Sequence, residues 1–219
     1  MNTHDPMSPQ TTIHSLNDYL LKVSELDRNG DKCIHNPEFI SNILQMTRIA
    51  AGEEQLELNR VDDLSLLLVS TINAFKCDTM THNIMILTEI DPQLPDVYWD
   101  EHKICYFVIN NFISNAIKFT PPGGTIKISA HVEIDQVVIE ILDNGRAITE
   151  CNKKCIFDRF EQSNAIDPRL SGPLGIALYN AHLVVSRHNG HITVGDGLHG
   201  AGAGFRMTLP PHPCYSRTG

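Results

Sequence analysis

Two carboxamides and an ammonium group fall on one side of a predicted helix between Phe107 and Pro121. Asn111, Asn115 and Lys118 stand at positions i, i+4 and i+7, which share one face of an α-helix. Asparagine oxygens suit a hard cation, and a lysine ammonium neutralises phosphate oxygens. The trio therefore indicates a metal–phosphate site, although from the spacing alone a solvated polar face is the more common explanation.

An apolar face on the same stretch predicts the helix that holds these three side chains. Its residues recur at helical spacing and lie opposite the polar ones: Ile109, Phe112, Ile113, Ala116 and Ile117. We expect the helix to run from Trp99 to Phe119 and to end at the Pro-Pro-Gly-Gly sequence that begins with Pro121.

The composition of the 219 residues is typical of a soluble globular protein, with 42% hydrophobic residues and a net charge of -9. The negative charge argues against a nucleic-acid partner. No apolar run is long enough to span a membrane, and the N-terminus has no signal-peptide pattern. The six cysteines are scattered and lack a zinc spacing, so we expect free thiols in a cytoplasmic protein.

The periodicity of the rest of the chain predicts an α+β fold. A short turn between two alternating segments also predicts a hairpin in the middle of the chain. The expected elements besides the central helix are helices at 61–75 and 174–188, and strands at 83–90, 125–132, 136–142, 191–194 and 205–209. Helices and strands in this order are typical of an α+β domain.

A second candidate motif follows the predicted strand that ends at Leu142. It reads Asp143-Asn-Gly145-Arg-Ala147-Ile148. An Asp-Asn-Gly sequence alone is typical of a turn. Its position after an alternating strand, and downstream of the asparagine-bearing helix, favours a functional site.

Together the two motifs resemble the N-box and the G1 box of the histidine-kinase ATP-binding domain, in the GHKL superfamily with the Bergerat fold. The resemblance is close from Asn111 to Pro121 and extends over roughly residues 61–210. It implies a two-layer sandwich in which helices cover one face of a mixed β-sheet, preceded by a short helical segment. It also implies that ATP lies between the asparagine-bearing helix and a lid, with Asn115 holding Mg²⁺ and Asp143 accepting the adenine amino group.

The resemblance also implies roles for further residues. Asn111, Asn115 and Lys118 would be catalytic, and the F-box would supply two aromatic supports for the lid. The implied ATP contacts are Asp143, Gly145, Ile148, Phe157, Phe160, Arg169, Gly172, Leu174 and Gly175.

Three positions depart from the family pattern. Ala147 replaces the second glycine of the G1 box, and Ser171 and Pro173 replace two of the three glycines of the G2 box. Pro173 lacks the backbone N–H that would hold phosphate at a helix N-terminus. Arg169 in the lid could offset this loss with a charged contact.

One position favours phosphoryl transfer over hydrolysis. Hydrolysing GHKL relatives place a glutamate where Asn111 stands, so the general base that activates water is missing here. Phosphoryl transfer needs mainly positioning and charge neutralisation. The resemblance therefore implies a protein-histidine kinase domain in a two-component phosphorelay, with a histidine-bearing dimerisation domain or a response regulator as partner. The altered glycines leave a second hypothesis open, a pseudokinase or interaction module.

The N-terminal segment also resembles an EF-hand calcium loop at residues 27–38. Its ligand positions for Ca²⁺ would be taken by Asp27, Asn29, Asp31, Cys33 and Glu38. Lys32 replaces the glycine of the sharp turn, and an ordinary turn between two helices has the same composition. A calcium-responsive module is therefore a variant of the second hypothesis.

The same region looks like a remnant of the helical hairpin through which histidine kinases dimerise. Residues 39–52 are similar to the end of its second helix, but His14 on the first helix lacks an adjacent carboxylate base. A homodimer through these helices would fit this interpretation. We expect a disordered tip and helical hairpin at 1–60, an ATP-binding domain at 61–210, and a tail at 211–219.

Overall fold

The computed structural model describes residues 55–157 and 176–212. These residues divide into two compact units. The larger unit comprises 56–155 and 181–212, and the smaller one comprises 55, 156–157 and 176–180. The description below concerns the larger unit unless the smaller one is named.

The larger unit is built on a five-stranded mixed sheet. Its strands are β2 (Met85–Ile90), β4 (Thr125–Glu133), β5 (Gln136–Asp143), β6 (His191–Asp196) and β7 (Ala203–Leu209). Their order in the sheet is β2-β4-β5-β7-β6, and β2 runs parallel to β4, whereas all other neighbours are antiparallel. The predicted α+β fold with a mixed sheet is confirmed, as is the β4–β5 hairpin.

Alternation along the strands separates a buried sheet face from a charged one. The buried face carries aliphatic side chains such as Ile128 and Ile141, which are opposite each other in the register. On the other face, the Arg206 guanidinium forms ion pairs with Glu140, at 2.8 Å, and with Glu133. This division leaves one apolar face of the sheet to pack against helices.

The central helix packs on the buried face and is less regular than predicted. Its parts are α3 (Glu101–Lys103), a π-helix (Ile104–Ile109) and α4 (Asn110–Phe119). The rings of Phe112 on α4 and Phe205 on β7 stack with centroids 4.8 Å apart. All five residues that were predicted to form the apolar face are buried.

The prediction that the central helix begins at Trp99 is wrong. Trp99 ends strand β3 (Val97–Trp99), which pairs with β1 (Asn59–Val61) in a two-stranded sheet. The indole is 1% exposed, and its Nε1–H donates to the Pro210 carbonyl at 2.8 Å. Asp100 then caps the helix, since its carboxylate accepts the Lys103 N–H.

The helix that was predicted at 61–75 begins at Leu64, three residues later than expected. Val61 lies in β1, and Asp63 caps helix α1 (Leu64–Ala74) by accepting the Leu66 N–H at 2.8 Å. The short helix α2 (Lys76–Thr81), which was not predicted, follows directly.

The remaining helices are α5 (Glu150–Cys155) and α6 (Ile176–Arg187), of which α6 begins in the smaller unit. A 3₁₀ turn (Leu198–Gly200) lies between β6 and β7. None of the helices in the described ranges is long and apolar enough to cross a membrane.

Candidate functional site

Helix α4 places Asn111 and Asn115 one turn apart, and their amides contact each other. The Asn115 Nδ2 donates to the Asn111 Oδ1 at 3.0 Å. No residue in the described ranges donates a hydrogen bond to the Asn115 Oδ1. This amide pair therefore fixes the Asn115 side chain with its oxygen left for a ligand, and an oxygen is the donor that a hard cation prefers.

The Asn111 Nδ2 is buried and has no hydrogen-bond partner within the described part of the chain. A buried donor without a partner costs about 1–3 kcal/mol. A bound anion or carbonyl would remove this cost, so the orphaned donor is itself a sign of a ligand site.

Lys118 lies one turn further along α4, and its side chain is exposed. Its ammonium is 5.1 Å from the centroid of the Phe119 ring. No carboxylate in the described ranges forms an ion pair with it. The ammonium is therefore available to a phosphate.

Asp143 ends strand β5 and is 3% exposed. Its Oδ1 accepts two backbone hydrogen bonds, from Gly145 N–H at 2.8 Å and from Ala203 N–H at 3.2 Å. Burial raises the pKa of Asp143, and these two hydrogen bonds only partly counter it. No described residue donates to Oδ2, so one oxygen of a desolvated carboxylate is left for a ligand.

The loop after Asp143 touches the end of α4. The Arg146 N–H donates to the Phe119 carbonyl at 3.3 Å. A Cβ atom added to Gly145 would lie 2.2 Å from the same carbonyl oxygen, so only glycine permits this approach. The fold thus brings the two sequence motifs into contact, although they stand about two dozen residues apart.

These contacts do not test the roles of the other predicted site residues. Ile148 is half-buried after the loop, Ala147 is exposed, and Phe157 belongs to the smaller unit. The predicted lid and calcium residues lie outside the described residues: Phe160, Arg169, Gly172, Leu174, Gly175, Asp27, Asn29, Asp31, Cys33 and Glu38. Their roles stay predictions.

Sequence reasoning missed the contribution of the β6–β7 turn to this site. Ala203 donates one of the two hydrogen bonds that hold Asp143, and Gly202 lies against the same residue. The signal is present in the glycine-rich sequence from Gly200 to Gly204, which is similar to the turn before the family's last strand but from the sequence alone fits a flexible hairpin loop as well.

A cavity of about 560 Å³ opens on another flank of α4, where Ser114, Ile117 and Lys118 face helix α2. Lys118 belongs to both this cavity and the site, whereas Asn111, Asn115 and Asp143 are not among the described residues that line the cavity. The hydrogen-bonded part of the site therefore lies outside it.

The family of the chain follows from comparison with known proteins. Residues 100–213 match the family model of the histidine kinase-, DNA gyrase B-, and HSP90-like ATPases. The chain belongs to this family. The matched region contains α4, Asp143 and the β6–β7 turn, so the resemblance that the sequence motifs indicated is confirmed.

Histidine kinases are among the similar curated proteins. The circadian input-output histidine kinase CikA of Synechococcus elongatus is 28% identical over 95% of this chain and 29% of the relative. The adaptive-response sensory kinase SasA of a Nostoc species is 32% identical over 80% of this chain and 43% of the relative. The chain thus spans less than half the length of these relatives.

Solved structures show the same fold. Full-length ShkA in complex with AMPPNP superposes with a TM-score of 0.65 at 23% identity, over 79% of this chain and 36% of that chain. The catalytic domain of the histidine kinase ThkA gives a TM-score of 0.61 at 23% identity, over 72% of this chain and 97% of that chain. The domain is therefore of the histidine-kinase catalytic type in fold.

Proposed function

We propose that this domain binds ATP with Mg²⁺ and supports transfer of the γ-phosphoryl group to a histidine side chain. The observation that carries the proposal is the burial and hydrogen bonding of the Asp143 carboxylate. This buried carboxylate has one oxygen held by two backbone N–H groups and the other oxygen without a donor among the described residues.

Such a carboxylate selects a base that donates a hydrogen bond. The exocyclic amino group of adenine would supply a proton to Oδ2 and offset the desolvation that raises the pKa of Asp143. Guanine presents a carbonyl oxygen at the same ring position, and two acceptors facing each other in a dry site repel. The site should therefore prefer ATP to GTP.

The amide pair on α4 fits the phosphate end of the nucleotide. Asn115 would offer its Oδ1 to Mg²⁺, Lys118 would offer its ammonium to phosphate oxygens, and the orphaned Nδ2 of Asn111 would gain an acceptor. When bound, Mg²⁺ would supply charge neutralisation for the triphosphate. The residues present therefore fit both groups.

The position of Asn111 favours phosphoryl transfer over hydrolysis, because an amide cannot act as the general base for water. The incoming nucleophile would be a neutral histidine nitrogen on a dimerisation domain, and a response regulator would accept the phosphoryl group next. ThkA, one of the structural neighbours, has been crystallised in complex with the response regulator TrrA. The comparisons give no support to the pseudokinase alternative or to a calcium site.

Binding of ATP and GTP to the chain, with and without Mg²⁺, tests the proposal directly. We expect micromolar ATP binding, weaker GTP binding, and loss of ATP affinity when Mg²⁺ is removed. Asn115→Ala should weaken the Mg²⁺ dependence, whereas Ser114→Ala, on the adjacent exposed position, is the matched control. Absence of ATP binding at millimolar nucleotide would refute the proposal.

Transfer is tested separately with γ-labelled ATP and a histidine-bearing dimerisation domain. Acid-labile label on that domain, lost when its histidine is replaced, is the expected result. Release of inorganic phosphate at the same rate without the acceptor would show hydrolysis instead.

A further inference from the structure

The turn between β6 and β7, at residues 197–202, is rich in glycine. The Gly197 N–H donates to the Gly202 carbonyl at 3.3 Å, which closes the turn. Gly200 and Gly202 both adopt left-handed backbone angles, with φ of +79° and +74°. Such angles favour glycine at both positions.

One side of this turn lies directly against Asp143. A Cβ atom added to Gly202 would lie 2.1 Å from the Asp143 carbonyl oxygen and 2.4 Å from its Oδ1. A Cβ atom added to Gly197 would lie 2.0 Å from the same carbonyl oxygen. The next residue, Ala203, donates its N–H to Oδ1 at 3.2 Å. The turn therefore contacts both the backbone and the side chain of Asp143.

We propose that the β6–β7 turn is a positioning element for base recognition, with Gly202 and Ala203 as the positioning residues. Gly145 and Ala203 hold Oδ1 with two N–H groups, and this fixes the direction in which Oδ2 points. Gly202 leaves the space that the carboxylate occupies. Neither positioning residue needs to contact the nucleotide. This inference rests on the proposed function, since it concerns how the same carboxylate reads adenine.

An ion pair also ties the turn to helix α5 (Glu150–Cys155). The Lys153 ammonium on α5 pairs with Asp196 at 2.7 Å and with Glu150 at 2.6 Å. Asp196 stands opposite Ala203 in the β6–β7 register. Ala203, which donates to Asp143, is therefore paired with a residue that forms an ion pair with α5. This ion pair is a second restraint on the turn.

Two glycine substitutions in the same turn separate positioning from backbone strain. Gly200→Ala imposes a left-handed angle on alanine but adds a Cβ atom with nothing within 4 Å. Gly202→Ala imposes nearly the same angle and also drives a methyl group into Asp143. The difference between the two variants therefore reports the contact with Asp143.

The readout is the ratio of two affinities, for ATP and for purine riboside triphosphate, which lacks the 6-amino group. We expect a ratio of about tenfold or more for the wild-type chain and for Gly200→Ala. For Gly202→Ala the ratio should fall close to one, because the amino group has lost its acceptor. A purely structural role would weaken both ligands equally, and an unchanged ratio in Gly202→Ala would overturn the inference.

A measurement on the wild-type chain covers the case in which Gly202→Ala does not fold. The backbone amide NMR signals of Gly145 and Ala203 should move on addition of ATP and move less with the 6-deamino analogue, whereas Gly200 should stay in place. An Ala203 signal that responds equally to both nucleotides would contradict positioning. Absence of ATP binding to the wild-type chain would instead refute the proposed function itself.

Discussion

Asp100 and Asp143 have the same exposed fraction, 3% each, yet the pKa values of their carboxyl groups are shifted in opposite directions. The pKa of Asp100 is lowered, whereas the pKa of Asp143 is raised. Burial raises the pKa of both groups, but at Asp100 the hydrogen bonds and the charge of Lys103, with the Glu57 N–H, outweigh it. The comparison shows that two carboxylates with the same exposed fraction differ in whether their partners compensate the cost of burial.

Asp100 has a complete set of partners. It accepts hydrogen bonds from the Lys103 Nζ at 2.8 Å, from the Lys103 N–H at 3.0 Å and from the Glu57 N–H at 3.0 Å. Its own N–H donates to the His188 Nε2 at 3.0 Å. This cluster joins the segment before β1, the start of the central helix and the end of α6.

Asp143 has only two neutral donors, and both bind one oxygen. No cation pairs with it among the described residues. Its carboxylate therefore keeps part of the cost of burial, and a ligand that donates a hydrogen bond can relieve this cost.

The largest effect is expected from Asp100→Asn. The amide is nearly isosteric but leaves the Lys103 ammonium buried without its counter-charge. We expect the free energy of unfolding to fall by about 3 kcal/mol, measured by urea denaturation. Asp96→Asn, which breaks the exposed pair with Arg60, is the control and should change stability little. An equal loss of unfolding free energy in Asp100→Asn and Asp96→Asn would show that the buried ion pair stabilises the chain no more than the exposed one.

The same substitution at Asp143 should affect binding and leave stability almost unchanged. Asp143→Asn removes a charge that burial disfavours, so the free energy of unfolding should change by less than about 1 kcal/mol. ATP affinity should fall by about tenfold or more, because an amide N–H₂ can face the adenine amino group in place of an acceptor. Asp135→Asn at the exposed β4–β5 turn is the control.

The pH dependence of wild-type binding sharpens this prediction. Because the pKa of Asp143 is raised, ATP affinity should decline as the pH falls through that raised value. The folded-state stability that a raised carboxyl pKa confers is present in acid and is lost as the pH rises. Asp143→Asn should therefore be more stable relative to wild type at neutral pH than in acid.

His188 should make the Asp100 cluster sensitive to mild acid. Its Nδ1 contacts the Val184 carbonyl at 2.8 Å and its Nε2 accepts the Asp100 N–H, so the folded chain holds the neutral ring. Burial lowers the pKa of His188, with the Lys103 charge acting in the same direction, against the Val184 hydrogen bond and the Asp100 charge. The unfolded chain then binds a proton that the folded chain does not, and stability falls as the pH drops below about 6.5.

The slope of this loss is at most about 1.4 kcal/mol per pH unit, the value for one proton. His188→Gln keeps an acceptor for the Asp100 N–H and should flatten the slope between pH 7 and pH 5, followed by urea denaturation across that range. His191→Gln, at an exposed position, should leave the slope as it is. An unaltered slope in His188→Gln would assign the acid sensitivity to other groups.

The smallest effect is expected at the ion pair that ties α5 to the β6–β7 turn. Lys153→Ala removes the partner that Glu150 and Asp196 share, and these two carboxylate side chains are 84% and 67% exposed. Exposed ion pairs contribute little, so ATP affinity should change by less than about threefold, measured by fluorescence titration. A larger change would mean that the turn depends on α5 more than on its own hydrogen bonds.

The parts of the site that were predictable from the sequence are those with local periodicity. The apolar face of α4 and the alternation of β4 and β5 both act within a dozen residues, so the helix bearing Asn115 and the strand leading to Asp143 were found. The assignment of Asp143 as an acceptor also depended on the family resemblance. The predicted domain limits of 61–210 stay a prediction.

The features that sequence reasoning missed depend on contacts between distant residues. Ala203 donates to Asp143 across 60 positions, and Asp100 contacts His188 across 88 positions. Strands β1 and β3 have three residues each, which is too short for an alternating pattern to stand out. The pairing of Trp99 with Asn59 is not visible from local spacing, so the sequence predicts a helix at Trp99 where the structure has a strand.

The π-helix at Ile104–Ile109 affects how the central helix tolerates the deletion of a residue. A π turn closes its hydrogen bonds over five residues instead of four, so it accommodates one more residue than an α-helix of the same reach. Asp100 on one side and Asn115 on the other are each fixed by their own contacts. We therefore expect deletion of the exposed Tyr106 to give an uninterrupted α-helix with both residues on their present faces. The π-helix is thus the place in the central helix where the loss of one residue disturbs the two ends least.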